Sequence, residues 1–146
     1  MEGLAASMLG IARLYFDCVS AQLGEAEHVH PRQAPILGML LHNEGMSQAD
    51  LARALKVTPA TVAVSAARLE RLGLICRRRN ARNQRANVLA LTQTGRAKAQ
   101  RLLEAMEAVR LAAFEGFSEE ELAQLDSYCA RMTQNLRGRY QSGEEK

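Results

Sequence analysis

Ser47 to Gly73 reads SQADLARALKVTPATVAVSAARLERLG, and this stretch decides the fold. Ser47 precedes Asp50 by three residues, a spacing that lets a hydroxyl and an acid satisfy the free amides at a helix start. Leu51, Ala52 and Leu55 supply the buried stripe of that short helix. After Lys56-Val57, Thr58 can cap a second helix with Pro59 at its first position, where a missing N–H leaves no bond unmade. The second helix is predicted from Ala60 to about Arg71, closed by Gly73. Two short helices joined by a tight turn, the second opening Thr-Pro-Ala-Thr, predict a helix-turn-helix.

Immediately downstream, Ile75 to Arg79 and Asn87 to Leu91 predict two short strands. The loop that joins them makes Arg77 to Arg85 a run of five arginines in nine residues with no acid. Leu72, Leu74 and Ile75 before the run and Val88, Leu89 and Leu91 after it place it inside a folded unit rather than a tail. Uncompensated charge at a hairpin tip points to a polyanion. Residues 68 to 101 hold ten Lys and Arg against one acid, Glu70, whereas the rest holds nine against fifteen. The net charge of +3 therefore hides one basic region with acidic ends, which suits a protein that docks one side on DNA.

Outside this unit the apolar residues recur at helical spacing. Leu4, Met8, Ile11, Tyr15 and Cys18 predict a first helix of about 18 residues ending near Leu23-Gly24. A second opens at His30 to Pro35, with Ile36, Leu37, Leu40 and Leu41 as its apolar face. Thr92 caps a long helix carrying Leu102, Leu103, Met106, Val109 and Phe114. Ser118 with Glu121 starts another that carries Leu122, Leu125, Cys129, Met132, Leu136 and Tyr140. These stripes exceed what the small central unit can cover, and two-fold pairing of long terminal helices predicts a homodimer with two half-sites on DNA.

Length and composition fit this reading. A chain of 146 residues, 47% apolar, supports one domain with helical extensions. It contains no apolar run of about 18 residues and no secretion signal, so it is expected to be cytoplasmic, without a membrane partner. Cys18, Cys76 and Cys129 are far apart and form no C-x-x-C pair, which disfavours disulfides and structural zinc. No G-x-S-x-G, Gly-rich phosphate loop or H-E-x-x-H occurs, and an enzyme is not expected.

The stretches Gln33 to Leu41, Ser47 to Ala52, Thr58 to Val62, Arg68 to Ile75 and Val88 to Gly95 together resemble the MarR (multiple-antibiotic-resistance regulator) family of winged helix-turn-helix repressors. The resemblance runs in order along nearly the whole chain. It implies a mainly α protein with a small β-wing: a winged helix-turn-helix lobe at about 33–95, with dimerisation helices at 1–30 and 96–141, all in one domain. It further implies a bacterial or archaeal nucleoid-associated repressor on a pseudo-palindromic operator. The residues expected at double-stranded DNA are Ser47, Thr58, Thr61, Ala63, Val64, Ser65 and Arg68 from the helix pair, and Arg77, Arg78, Arg79, Arg82 and Arg85 from the wing. Arg85 matches the family's minor-groove arginine, and the others on the wing would meet phosphates.

Two departures stand out. Asn80 and Asn83 occupy wing positions that are acidic in many members, and Ala67 replaces a common Asp, so the Asp–Arg pairing that steadies the wing is missing. The middle of the reading helix, Ala60 to Ser65, offers few base-edge hydrogen bonds. Ala63 or Val64 could touch thymine methyls, and DNA shape would carry part of the specificity.

The family's effector crevice lies between lobe and dimerisation helices. By position Tyr15, Cys18 and His42 are candidates to line it, with Met8, Ile11, Met39 and Met106 as apolar neighbours. The expected effector is a small, partly apolar aromatic anion, with Arg13 and Arg32 as charge partners. No cofactor and no metal are expected. The zinc-sensing His pair on the fifth helix is absent, and only His28 and His30 with Cys18 or His42 could improvise a site. Two other readings stay open: a redox-sensing repressor that uses Cys18, and a ligand-free architectural DNA-binding protein.

Overall fold

The structure, a computed structural model, describes residues 2–24, 31–43, 45–79 and 87–140. Helix α1 (Glu2–Leu23) is followed by a 3-10 turn (Pro31–Gln33), α2 (Ala34–His42), α3 (Gln48–Leu55), α4 (Pro59–Arg71), β1 (Ile75–Arg79), β2 (Asn87–Leu91), α5 (Gln93–Ala113) and α6 (Glu119–Tyr140). The chain is thus mostly helical with one two-stranded antiparallel sheet, and both strands begin and end where the sequence places them. It divides into two compact units, Met1–Val109 and Arg110–Lys146.

In the first unit Val19 of α1, Leu37 and Leu40 of α2, Leu51 of α3, Val62 and Leu69 of α4, Leu89 of β2 and Leu102 of α5 close one core. Leu74 and Ile75 complete it where the reading helix enters the wing. Helix α4 ends in a Schellman motif. Gly73 N–H donates to the Glu70 carbonyl and Leu74 N–H to the Leu69 carbonyl, and the motif needs the φ of +69° that Gly73 adopts. In the sheet Ile75 pairs with Leu91 and Arg79 with Asn87. Met46 also bridges Leu89, donating and accepting at 3.1 and 2.8 Å, so β2 lies between β1 and the segment that leads into α3.

Thr92 fastens α5 to the end of α4. Its hydroxyl donates to the Gly73 carbonyl at 2.7 Å and accepts from Gly95 N–H at 2.9 Å, while its own N–H donates to the Leu74 carbonyl. A Cβ at Gly95 would stand 1.7 Å from the Leu74 carbonyl oxygen, which explains why this position has no side chain.

Helix α1 is four residues longer than the 18 expected, and it corrects one sequence expectation. Gly3–Leu23 is long and apolar enough, by length and composition, to cross a membrane. Its small residues raise the mean hydropathy without making an unbroken bulky run, and its two charges, Arg13 and Asp17, pair at 3.7 Å one turn apart. Tyr15, Val19 and Leu23 meet the core, whereas Leu4, Leu9, Ile11 and Leu14 are exposed.

In the second unit, Phe114 and Phe117 meet edge-to-face across the turn before α6. Ser118 and Glu121 form the reciprocal capping box that their spacing predicts: Glu121 N–H donates to the Ser118 hydroxyl and Ser118 N–H to the Glu121 carboxylate. The Glu120 carboxyl is held below its ordinary range by its own backbone N–H and by the Ser118 hydroxyl. Leu125, Tyr128 and Leu136 of α6 are exposed within this unit.

Candidate nucleic-acid interface

The helix pair is built from its caps. Ser47 Oγ accepts from Asp50 N–H and donates to the Asp50 carboxylate at 2.7 Å, and Arg53 donates to the same carboxylate at 2.9 Å. The Ser47 hydrogen bond, then Arg53, hold the Asp50 carboxyl below its ordinary range. Lys56 turns the chain with a φ of +53°, the one non-glycine residue with positive φ among those described. Thr58 Oγ1 then accepts from Thr61 N–H at 3.1 Å and lies 2.9 Å from Thr61 Oγ1. Three hydroxyls expected at DNA, those of Ser47, Thr58 and Thr61, are therefore engaged in starting helices.

Burial divides α4 by the helical period. Val62, Ala66 and Leu69 face the core. Ala60, Thr61, Val64, Ala67, Arg68 and Arg71 are exposed along the opposite side, and Ala63 and Ser65 are half-buried between the two. At the centre of the exposed side Val64 is 73% accessible.

Of the wing, the structure describes the base. Arg77, Arg78 and Arg79 are exposed on β1, where side chains alternate between the two faces of the strand. Arg77 Nε is 3.3 Å from Glu70 Oε2, a pair whose side chains are 42% and 38% exposed. It joins the last turn of the reading helix to the first wing strand. Sequence reasoning assigned Arg77 to phosphate and missed Glu70, although Glu70 is the single acid in the basic stretch and sits one Schellman turn before the strand. Arg82 and Arg85 lie outside the described residues.

The effector candidates Tyr15, Cys18 and His42 lie on α1 and α2. Tyr15 donates its hydroxyl to the Met106 carbonyl at 3.0 Å and so ties α1 to α5. Cys18 is exposed on α1, and His42 Nδ1 lies 2.8 Å from the Gly38 carbonyl of its own helix. Met39 and Met106 pack against the core, while Met8 and Ile11 are exposed. A cleft of about 280 Å³ opens between α1 and α5, lined by Gln22, Leu23, Arg101, Glu104, Ala105 and Ala108. Arg13 faces Asp17 rather than a cavity. No group of three His, Cys, Asp or Glu side chains that could hold a metal occurs among the described residues, and His28 and His30 lie outside them.

Comparison with known proteins gives one answer. The sequence model of the MarR family matches residues 29–86, a stretch that holds α2, α3, α4 and β1 and stops before β2. The chain is 29% identical over 110 residues to the HTH-type transcriptional repressor MdtR of Bacillus subtilis strain 168, covering 75% of this chain and 71% of that protein. Among solved structures it superposes on S. aureus MepR in complex with DNA with a TM-score of 0.76 and 25% identity, over 90% of this chain and 97% of the other. The PcaV regulator of Streptomyces coelicolor, solved with its natural ligand, shares the fold with a TM-score of 0.72 and 22% identity, over 90% and 89%.

Proposed function

We propose that this chain, whose residues 29–86 match the MarR family model, is a DNA-binding transcriptional regulator of that family: a dimeric repressor of a pseudo-palindromic operator, released by a small ligand. One observation carries the DNA reading: an uncovered helix face, rigidly capped at both ends, lies beside a wing base of consecutive arginines. Such a face fits a major groove, and Arg78 and Arg79 fit the phosphates along it. Arg82 and Arg85, outside the described residues, would continue this contact, with Arg85 in the minor groove. MepR was solved with DNA, which supports the same docking here.

The second copy is supported by α1, whose Leu9 and Ile11 are 75% and 68% exposed in one chain. A patch of this kind is covered in a stable protein, and a two-fold partner would space two copies of α4 for two half-sites. That assignment also accounts for a helix apolar enough to span a membrane. Ligand response is supported by the cleft between α1 and α5, by the Tyr15–Met106 bond that ties the same helices, and by the ligand complex of PcaV. A small aromatic acid is the expected class, and it can release DNA only by preferring a dimer with wrongly spaced reading helices.

The test is selection of binding sites by the full chain from random duplexes, followed by titration of the recovered site against a scrambled one. Preference for a site with two-fold symmetry supports the repressor. Equal affinity for both duplexes would instead indicate an architectural protein. Aromatic acids and peroxide are then added to the complex, and release by oxidant that disappears in Cys18→Ser would replace the ligand reading with redox sensing.

A further inference from the structure

We propose that Val64 reads thymine 5-methyl groups, so that operator choice by this chain depends on methyl contact at the centre of α4. The proposal rests on the DNA-binding reading above and names what the reading helix would recognise. Val62, Ala66 and Leu69 fill the core, whereas Val64 is two residues from Val62, about 200° around the helix, and stands in solvent. A β-branched residue is a poorer helix former than alanine, and nothing in the fold requires one at this exposed position. With Ala60 and Ala67 one turn to either side, it forms a short apolar strip down the middle of the exposed face.

Polar alternatives at the same place are few. Thr58 and Thr61 turn their hydroxyls toward each other at 2.9 Å, with Thr58 also accepting the Thr61 N–H, and Ser65 is half-buried. Arg68, four residues beyond Val64, is the long hydrogen-bonding side chain that shares its side of the helix. Around the strip the charge is positive, from Arg68, Arg71 and the wing-base arginines, which suits a duplex and not an apolar protein surface. In the major groove one base pair type, the A·T pair, presents an apolar group, the thymine methyl. Guanine or cytosine opposite Val64 would lose water from its donors and acceptors without a partner in return.

The experiment uses the site selected by the full-length protein. Each thymine is replaced in turn by deoxyuridine, which keeps every hydrogen-bonding group and removes only the methyl. The expected result is one or two thymines per half-site whose replacement weakens binding about fourfold, the value of one buried methyl group, and about fifteenfold when both half-sites are changed. In Val64→Ala the same replacement should change affinity less than twofold, with circular dichroism and sedimentation matching the parent protein. Placing 5-methylcytosine opposite the helix in a weakened C-containing site should recover affinity in the parent and not in the variant. A parent protein indifferent to every deoxyuridine overturns the proposal, as does a Val64→Ala variant that retains the full penalty. Failure to select any duplex would overturn the DNA reading itself and the proposal with it, an outcome separate from binding without methyl preference.

Discussion

Gly95 has no room for a side chain, and this makes it the most sensitive position in the lobe. Gly95→Ala would drive a methyl into the Leu74 carbonyl, which is backbone and cannot swing aside. The expected loss is about 3 kcal/mol or more in urea unfolding, whereas Thr92→Val, which removes a cap and a tie without adding bulk, should lose about 1–2 kcal/mol. Arg77 and Arg78 are neighbours with different expected roles. Arg77 faces Glu70, and a half-exposed pair of this kind contributes little stability but does fix direction. Arg78→Ala should reduce the salt dependence of DNA binding by about one counterion unit. Arg77→Ala should weaken binding with the salt slope unchanged, and Glu70→Ala should reproduce it; a flattened slope in Arg77→Ala would make Arg77 a phosphate ligand instead. The pairing with Glu70 was not legible in the sequence, because it joins a helix terminus to a strand through a turn whose geometry the sequence does not print. The caps at Ser47, Thr58, Thr92 and Ser118 were legible, since each bond closes within three residues.

At the scale of elements, α3 carries a pH-dependent start. The Ser47 hydroxyl, then Arg53, favour the charged form of Asp50 in the folded chain, so its carboxyl titrates lower there than when unfolded. A depressed carboxyl contributes stability above its unfolded value and loses it as pH falls through the folded value. Unfolding measured between pH 7 and pH 3 should therefore show a fall that Asp50→Asn partly removes; parallel curves for the two proteins would show that Asp50 has no part in it. The strands were legible to the residue because apolar runs and arginines bound them on both sides. Helix α1 was less so, since no stop signal precedes Leu4 and the helix continues back to Glu2. The binding role of its residues was harder still: which face meets the core depends on α5, and Tyr15 finds its partner 91 residues away.

For the whole molecule the decisive quantity is mass. Sedimentation at micromolar concentration should give a dimer, and Ile11→Arg, which places a charge in the exposed apolar face of α1, should shift the protein toward monomer and lower DNA affinity while its helical content is kept. A parent protein that sediments as a monomer would remove the two-half-site reading. The Thr92 junction has one more consequence. Because the Thr92 bonds hold the beginning of α5 against the end of α4, a rigid tilt of one helix would carry the other with it. From Gln93 to Val109 the arm formed by α5 is about 25 Å long, so a tilt of roughly 10° about its root displaces the far end by about 4 Å. Geared in reverse, a push of a few ångströms on the distal part of α5 would turn α4, and the angle at which it would enter a groove would then be adjustable from the other end of the arm.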